Sequence, residues 1–183
     1  MPAQIFLIIS ADLTIDELGR RIEQAYSKTQ ISVILLLRGD IKTIEYEKRI
    51  KAILPITQKR QSALLLDNSP ELVKKLGADG VHISSDIKKL RDAIKTLKPE
   101  LIVGAGNILS KDDAMTKGES GADYVFFGDD RKSTDTKTHE LALWWADTFE
   151  VPAVYFDTKN SLTDFNSANC EFIALPISGF HDE

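Results

Sequence analysis

The sequence predicts an α/β fold, a small (β/α)₈ TIM barrel, and three observations support this. Short, continuous apolar runs alternate with amphipathic stretches along the chain, which indicates parallel strands buried on both faces. There are eight such runs, which favours a closed barrel over an open doubly wound sheet, although the open sheet stays an alternative. The chain has 183 residues, 43% of them hydrophobic, so we expect a single domain over residues 1–183 with a full core.

The predicted strands are β-branched or leucine-rich and comprise residues 5–9, 32–37, 63–66, 80–83, 101–103, 124–127, 153–156 and 172–175. Polar residues that cap helices begin four of the amphipathic stretches, at Thr14, Ser69, Asp86 and Ser110. Thr14 and Glu17 have the spacing of a capping box, and Pro70 and Gly77 suit the start and end of one helix. Few residues follow the eighth strand, so we expect the eighth helix to be short or missing.

Composition excludes several classes of function. The formal net charge is −5 and no basic stripe is present, so a nucleic-acid partner is not expected. The first apolar run is too short for a signal peptide or a membrane span, and no later run approaches that length, which predicts a cytoplasmic protein without a membrane partner. The one cysteine, Cys170, has no partner for an internal disulfide, as expected in a reducing compartment.

Polar residues follow the predicted strands, at the end of the barrel where active sites lie. They are Ser10, Asp12, Arg38, Gly39, Asp40, Asp67, Asn68, Ser84, Ser85, Asp86, Asn107, Asp129, Asp130 and Asp157. Each alone is typical of turns and helix caps, but together they suggest a site for a phosphorylated small molecule. Carboxylates at several strand ends suit Mg²⁺, Arg38 and Lys137 suit phosphate, and backbone amides around Gly104 and Gly106 can approach an anion closely.

One histidine, His82, ends the fourth predicted strand. A single histidine there is more often a structural hydrogen-bonding group than a catalyst. The sequence contains no HxH, CxxC or HExxH spacing, so a zinc site is not expected.

Four segments resemble motifs of the thiamine phosphate synthase family, in the same order and spacing. Residues 77–83, GADGVHI, are similar to "GADGVHL", and residues 121–128, GADYVFFG, are similar to "GADYIGFGP". Leu37 and Arg38 resemble the end of "QLREK", and residues 134–137, TDTK, match "TxTK". GAD segments occur in many barrels, whereas the full set ending in TxTK is fairly specific.

The resemblance implies a transferase of thiamine biosynthesis. Such enzymes join hydroxymethylpyrimidine diphosphate to thiazole phosphate with Mg²⁺ and release pyrophosphate through a pyrimidine-methyl cation. It implies that Arg38 grips the pyrophosphate and that Thr134, Thr136 and Lys137 hold phosphate and close the loop. The candidate residues are therefore Arg38 and Lys137 for catalysis, Arg38, Asp67, Asn107, Thr134, Thr136 and Lys137 for substrate, and Asp67, Asn68 and Asp86 for the metal.

Several positions depart from the family pattern. Asp40 stands where "REK" has lysine, and Asn68 stands where a metal-binding aspartate is expected. Gly106 replaces a serine, and Asp157 lies where the family has the glycines of "IGGI". These departures keep a second hypothesis open: a catalytically impaired relative that serves as a phospho-ligand-binding or regulatory barrel. A third is another phosphosugar-type barrel enzyme that uses Asp67 and His82. A homo-oligomer is possible under each hypothesis.

Overall fold

Eight parallel strands close into a barrel in chain order, and the last strand pairs with the first. The structure is a computed structural model that describes residues 3–132, 134–156 and 170–180. The strands are β1 Gln4–Ser10, β2 Val33–Leu37, β3 Ala63–Asp67, β4 Gly80–Ile83, β5 Ile102–Ile108, β6 Tyr124–Phe127, β7 Ala153–Phe156 and β8 Phe172–Pro176. The helices of the described part are α1 Ile15–Lys28, α2 Thr43–Lys59, α3 Pro70–Leu76, α4 Ile87–Leu97, α5 Lys111–Glu119 and α6 Thr136–Thr148.

All eight predicted strands are confirmed, but the prediction for β5 was too short. The loop expected after residue 103 is strand, and Gly104 to Asn107 lie inside β5. The pairing of β5 with β6 is irregular between Ala105 and Ile108, and Asn107 has a φ of 57°. Glycines hid this extension because they normally weaken a strand, and in strands they often mark a bulge or a close approach.

The strands carry two separate cores because successive side chains point to opposite faces. The outward side chains pack against the helices, and the inward ones fill the barrel. Phe6 lies at the centre of the interior, with its ring 5.4 Å from that of Tyr124 and 5.7 Å from that of Phe126, both edge-on. Because these side chains fill the interior, a ligand of the barrel has to bind at the ends of the strands and not within it.

The helix starts follow the predicted caps with one exception. The Thr14 and Glu17 capping box is present, and Asp86 and Ser110 accept hydrogen bonds from the first turns of α4 and α5. Ser69 makes no capping bond to α3; its hydroxyl instead donates to the carbonyl oxygen of Asp67, 3.0 Å away. Gly77 ends α3 with a φ of 80°, as its position predicted.

A 3₁₀ helix, Ile177–Phe180, follows β8. The expectation of a short or missing eighth helix is therefore confirmed as far as residue 180. Residues 157–169, which include Asp157, lie outside the described residues. Over the described ranges, no helix combines the length and the apolar character needed to cross a membrane.

Candidate functional site

The carboxyl ends of the strands surround a cavity of about 420 Å³ at the mouth of the barrel. A cavity of about 220 Å³ lies beside it, and Asp130 and Arg131 line both. Asp12 and Asp40 line the larger cavity and Asp129 the smaller. Among the described residues, the two cavities are thus lined by four carboxylates and one guanidinium, which favours a cation over an anion there.

Arg38 follows β2, and its guanidinium is held on a rim formed by the starts of α2 and α3; it lines neither of the two cavities. It donates to the hydroxyl of Thr43 at 2.5 Å and, more weakly, to that of Ser69 at 3.4 Å. It also lies over the ring of Tyr46, 5.6 Å from the ring centre. These contacts use two of the five N–H donors of the guanidinium and leave the others for a phosphate.

Asp67 is a buried residue of the same rim, 6% exposed, whose carboxylate accepts hydrogen bonds from its neighbours. One carboxylate oxygen accepts the backbone N–H of Arg38 at 3.0 Å, and the other accepts the Asn68 side chain at 2.8 Å. Its own N–H donates to the hydroxyl of Tyr46, which in turn donates to the carbonyl of Leu36. Asp67 therefore ties the end of β2 to the end of β3.

The side chains predicted to bind Mg²⁺ do not form a metal site as they stand. The side-chain oxygen of Asn68 accepts the backbone N–H of Ser84, and that of Asp86 accepts the N–H of Lys89 as a helix cap. In the ranges that the structure describes, no three His, Cys, Asp or Glu side chains converge on a point where a metal ion would sit. Mg²⁺ is usually held by one or two carboxylates together with waters and substrate phosphates, so the metal role of Asp67, Asn68 and Asp86 stays a prediction.

The TDTK segment splits between two locations. The hydroxyl of Thr134 accepts the backbone N–H of Phe156 at 2.9 Å and lies 3.4 Å from the carbonyl of Phe127, so Thr134 joins β6 to β7. Thr136 and Lys137 are exposed in the first turn of α6. Lys137 lines a groove of about 430 Å³ between α5 and α6, and no residue of that groove lines the mouth. Arg38 and Lys137 are thus not brought together.

The glycines of β5 accommodate two rings inside the barrel. A Cβ atom on Gly104 would lie 1.9 Å from the ring of Tyr124, and one on Gly106 would lie 2.4 Å from Nε2 of His82. Both distances are impossible for real atoms, so the rings occupy the space that side chains at these positions would need.

Two residues of the mouth carried little signal in the sequence. Asp130 was one polar residue among many after a strand, and Tyr124 looked like part of an apolar run. Tyr124 and Asp130 are connected through His82, which lies on β4. The connection therefore depends on how the strands are arranged in the barrel and is not visible in the spacing of these residues along the chain. Asn107, a predicted substrate residue, does reach the mouth and lines the smaller cavity.

Comparison with known proteins gives consistent results. Residues 5–155 match the family model described as thiamine monophosphate synthase. The thiamine-phosphate synthase of Erythrobacter litoralis is 29% identical, over 96% of this chain and 87% of that protein. The thiamine-phosphate synthase of Rhodospirillum centenum is 33% identical over 112 residues, which is 58% of this chain and about half (54%) of that relative.

A solved structure, thiamine phosphate pyrophosphorylase from Pyrococcus furiosus, superposes with a TM-score of 0.77 and covers 98% of this chain and 88% of that one. Its sequence is 18% identical, so it supports the barrel fold alone. The family rests on the sequence match, which extends over most of the chain from β1 to β7. The protein belongs to the thiamine monophosphate synthase family.

Proposed function

We propose that this protein is a transferase of thiamine biosynthesis that joins hydroxymethylpyrimidine diphosphate to thiazole phosphate and releases pyrophosphate. The observation that carries the proposal is the position of Arg38 in the matched family segment. Its side chain is held on the rim by Thr43 and Ser69, and its backbone by Asp67. A preorganised guanidinium is the group that suits a pyrophosphate leaving group.

In the proposed reaction the protein has to stabilise the charges that separate when pyrophosphate leaves. The bond between the pyrimidine methylene carbon and the diphosphate oxygen breaks, its electron pair leaves with pyrophosphate, and the thiazole nitrogen forms a bond to the carbon. Arg38 binds the departing anion at the rim. Ile8, Leu37 and Phe156 supply apolar surface in the larger cavity against which a ring can pack and from which water is excluded.

Mg²⁺ is included in the proposal only because enzymes of this family use it. When bound, the ion would neutralise pyrophosphate charge, and Asp67, the carboxylate that accepts the backbone N–H of Arg38 and precedes Asn68, would be one of its ligands. We assign the ion no step. The phosphorylated substrates and the possible homo-oligomer likewise remain proposals.

The test is the reaction itself: full-length protein, both substrates and Mg²⁺, with thiamine phosphate measured after oxidation to its fluorescent product. Arg38→Ala is expected to lower product formation at least about tenfold, because a charge-assisted contact with the leaving group is lost. Arg60→Ala is the matched control, since Arg60 lies at the far end of α2 and pairs with exposed Glu23. If the wild-type protein yields no product at high concentration, the transferase proposal is wrong.

A second candidate, the catalytically impaired relative, is favoured by the negative charge of the mouth, because carboxylates there oppose the pyrophosphate of the transferase reaction. Asp40 lines the larger cavity at the position where the family motif has lysine. Asp40→Lys removes one carboxylate and restores that cation, so it discriminates between the two candidates. A large rise in product from an almost inactive wild type would favour the impaired relative, and loss of existing activity would favour the transferase.

A further inference from the structure

Three polar side chains form a line from the middle of the barrel to its mouth. The hydroxyl of Tyr124 lies 2.6 Å from Nδ1 of His82, and Nε2 of His82 lies 3.3 Å from a carboxylate oxygen of Asp130. His82 is fully buried, Tyr124 is 5% exposed, and Asp130 is 8% exposed where it lines both mouth cavities. Only the Asp130 end of this line is open to a ligand.

The protons of this line follow from its chemistry. Burial, together with the charges of Asp130, Asp123 and Asp67, raises the pKa of Tyr124 well above its usual value, so Tyr124 keeps its proton. In the tautomer in which this hydroxyl donates to Nδ1, the ring proton lies on Nε2 and faces Asp130. His82 then positions the carboxylate.

The carboxylate stays charged although it is mostly buried. Burial by itself raises the pKa of Asp130, but the interactions with His82 and with Arg131 outweigh it and lower the pKa below its usual value. Arg131 lies 4.0 Å away and is 65% exposed, so solvent screens much of its charge. The negative charge of Asp130 is therefore available at the mouth.

Nε2 of His82 gives the second indication of a ligand. The 3.3 Å contact with Asp130 does not form a well-shaped hydrogen bond, and within the described residues Nε2 has no other hydrogen-bond partner. The same atom lies against Gly106, and Ser84, which also lies close to that glycine, lines the smaller cavity. A buried donor without a well-formed hydrogen bond costs free energy. A ligand that shifts the Asp130 carboxylate into better geometry would complete the hydrogen bond between Nε2 and Asp130.

We propose that Asp130, positioned by His82 and Tyr124, binds a cationic nitrogen heterocycle at the mouth of the barrel. Asp12 and Asp40 line the same cavity and add to its preference for positive charge, while Leu37 and Phe156 offer apolar contact to a flat ring. Identifying the cation as the thiazolium ring of the product rests on the proposed function. The preference for a cation does not.

The experiment compares two probes that differ in charge and one methyl group: neutral 5-(2-hydroxyethyl)-4-methylthiazole and its N-methylthiazolium salt. Binding of each to the full chain is measured by calorimetry at neutral pH, without the pyrimidine substrate. The cation is expected to bind at least about tenfold more tightly than the neutral ring. In Asp130→Asn, which keeps the shape of the side chain, the ratio is expected to fall to about threefold or less.

Glu100→Gln is the matched control, because it removes one exposed negative charge at the opposite end of the barrel, before β5. Its ratio is expected to equal that of the wild type. A wild-type ratio near one, no cation binding up to about 10 mM, or an unchanged ratio in Asp130→Asn would overturn the inference. Because no turnover is needed, cation preference without product contradicts only the proposed function, and product without cation preference contradicts only this inference.

Discussion

The two sides of the barrel mouth satisfy their polar groups in different ways. After β2 and β3, Asp67 accepts hydrogen bonds from the backbone of Arg38 and the side chain of Asn68, and Asn68 also donates to Ser84. After β6, Asp130 faces two cavities and Nε2 of His82 lacks a well-formed bond. The carboxylate after β3 is therefore satisfied within the protein, whereas the one after β6, on what we call the open side of the mouth, can respond to a ligand.

The substitution with the largest expected effect lies inside the barrel, below the open side of the mouth. Gly106→Ala places a Cβ where Nε2 of His82 lies, so His82 or β5 must move, and we expect a loss of about 3 kcal/mol in the free energy of unfolding. Denaturant unfolding measures it. Gly19→Ala in α1 is the control, since its Cβ would meet Ile56 at an ordinary 3.7 Å, and it is expected to be neutral or slightly stabilising. Equal effects of the two substitutions would show that the ring does not occupy this space.

A smaller effect separates the two roles proposed for Asp86. As a helix cap its carboxylate accepts the N–H of Lys89 at 2.9 Å, so Asp86→Ala should cost about 1 kcal/mol of unfolding free energy. If capping is its only role, the cost is the same with and without Mg²⁺. A substitution that abolishes a Mg²⁺-dependent rise in melting temperature would instead make Asp86 a metal ligand and bring it into the site.

The smallest expected effect concerns acid stability on the open side. Because the pKa of Asp130 is lowered in the folded protein, its ionised form stabilises the fold at pH values above the ordinary 3.8. That contribution is lost as the pH falls through the folded value. The stability difference between wild type and Asp130→Asn should therefore stay constant near neutrality and shrink as the pH approaches and falls below the ordinary 3.8. Unfolding curves at a series of pH values measure this, and a difference that grows on acidification would contradict the lowered pKa of Asp130.

The sequence predicted some residues of the candidate site but not the direction of every side chain. The sequence marks Arg38, Asp67 and Asn107 as polar residues at strand ends, and the structure places all three at or near the mouth. It also groups Lys137 with Arg38 through the TDTK match, yet Lys137 lines a separate groove on the outside of α6. Motif spacing gives the position of a residue along the chain, whereas the direction of its side chain depends on how the helix packs.

The sequence by itself determined the barrel, since eight buried apolar runs separated by capped amphipathic stretches have few other ways to bury their surfaces. It also determined the family, through short segments in a matching order. Only the tertiary structure showed that Gly104 and Gly106 leave space for the rings of Tyr124 and His82. It also showed that Tyr124 contacts His82 and that His82 contacts Asp130 at the mouth. The physical reason is that these contacts join β4, β5 and β6 across the barrel interior, and no local pattern along the chain encodes which inward side chains meet there.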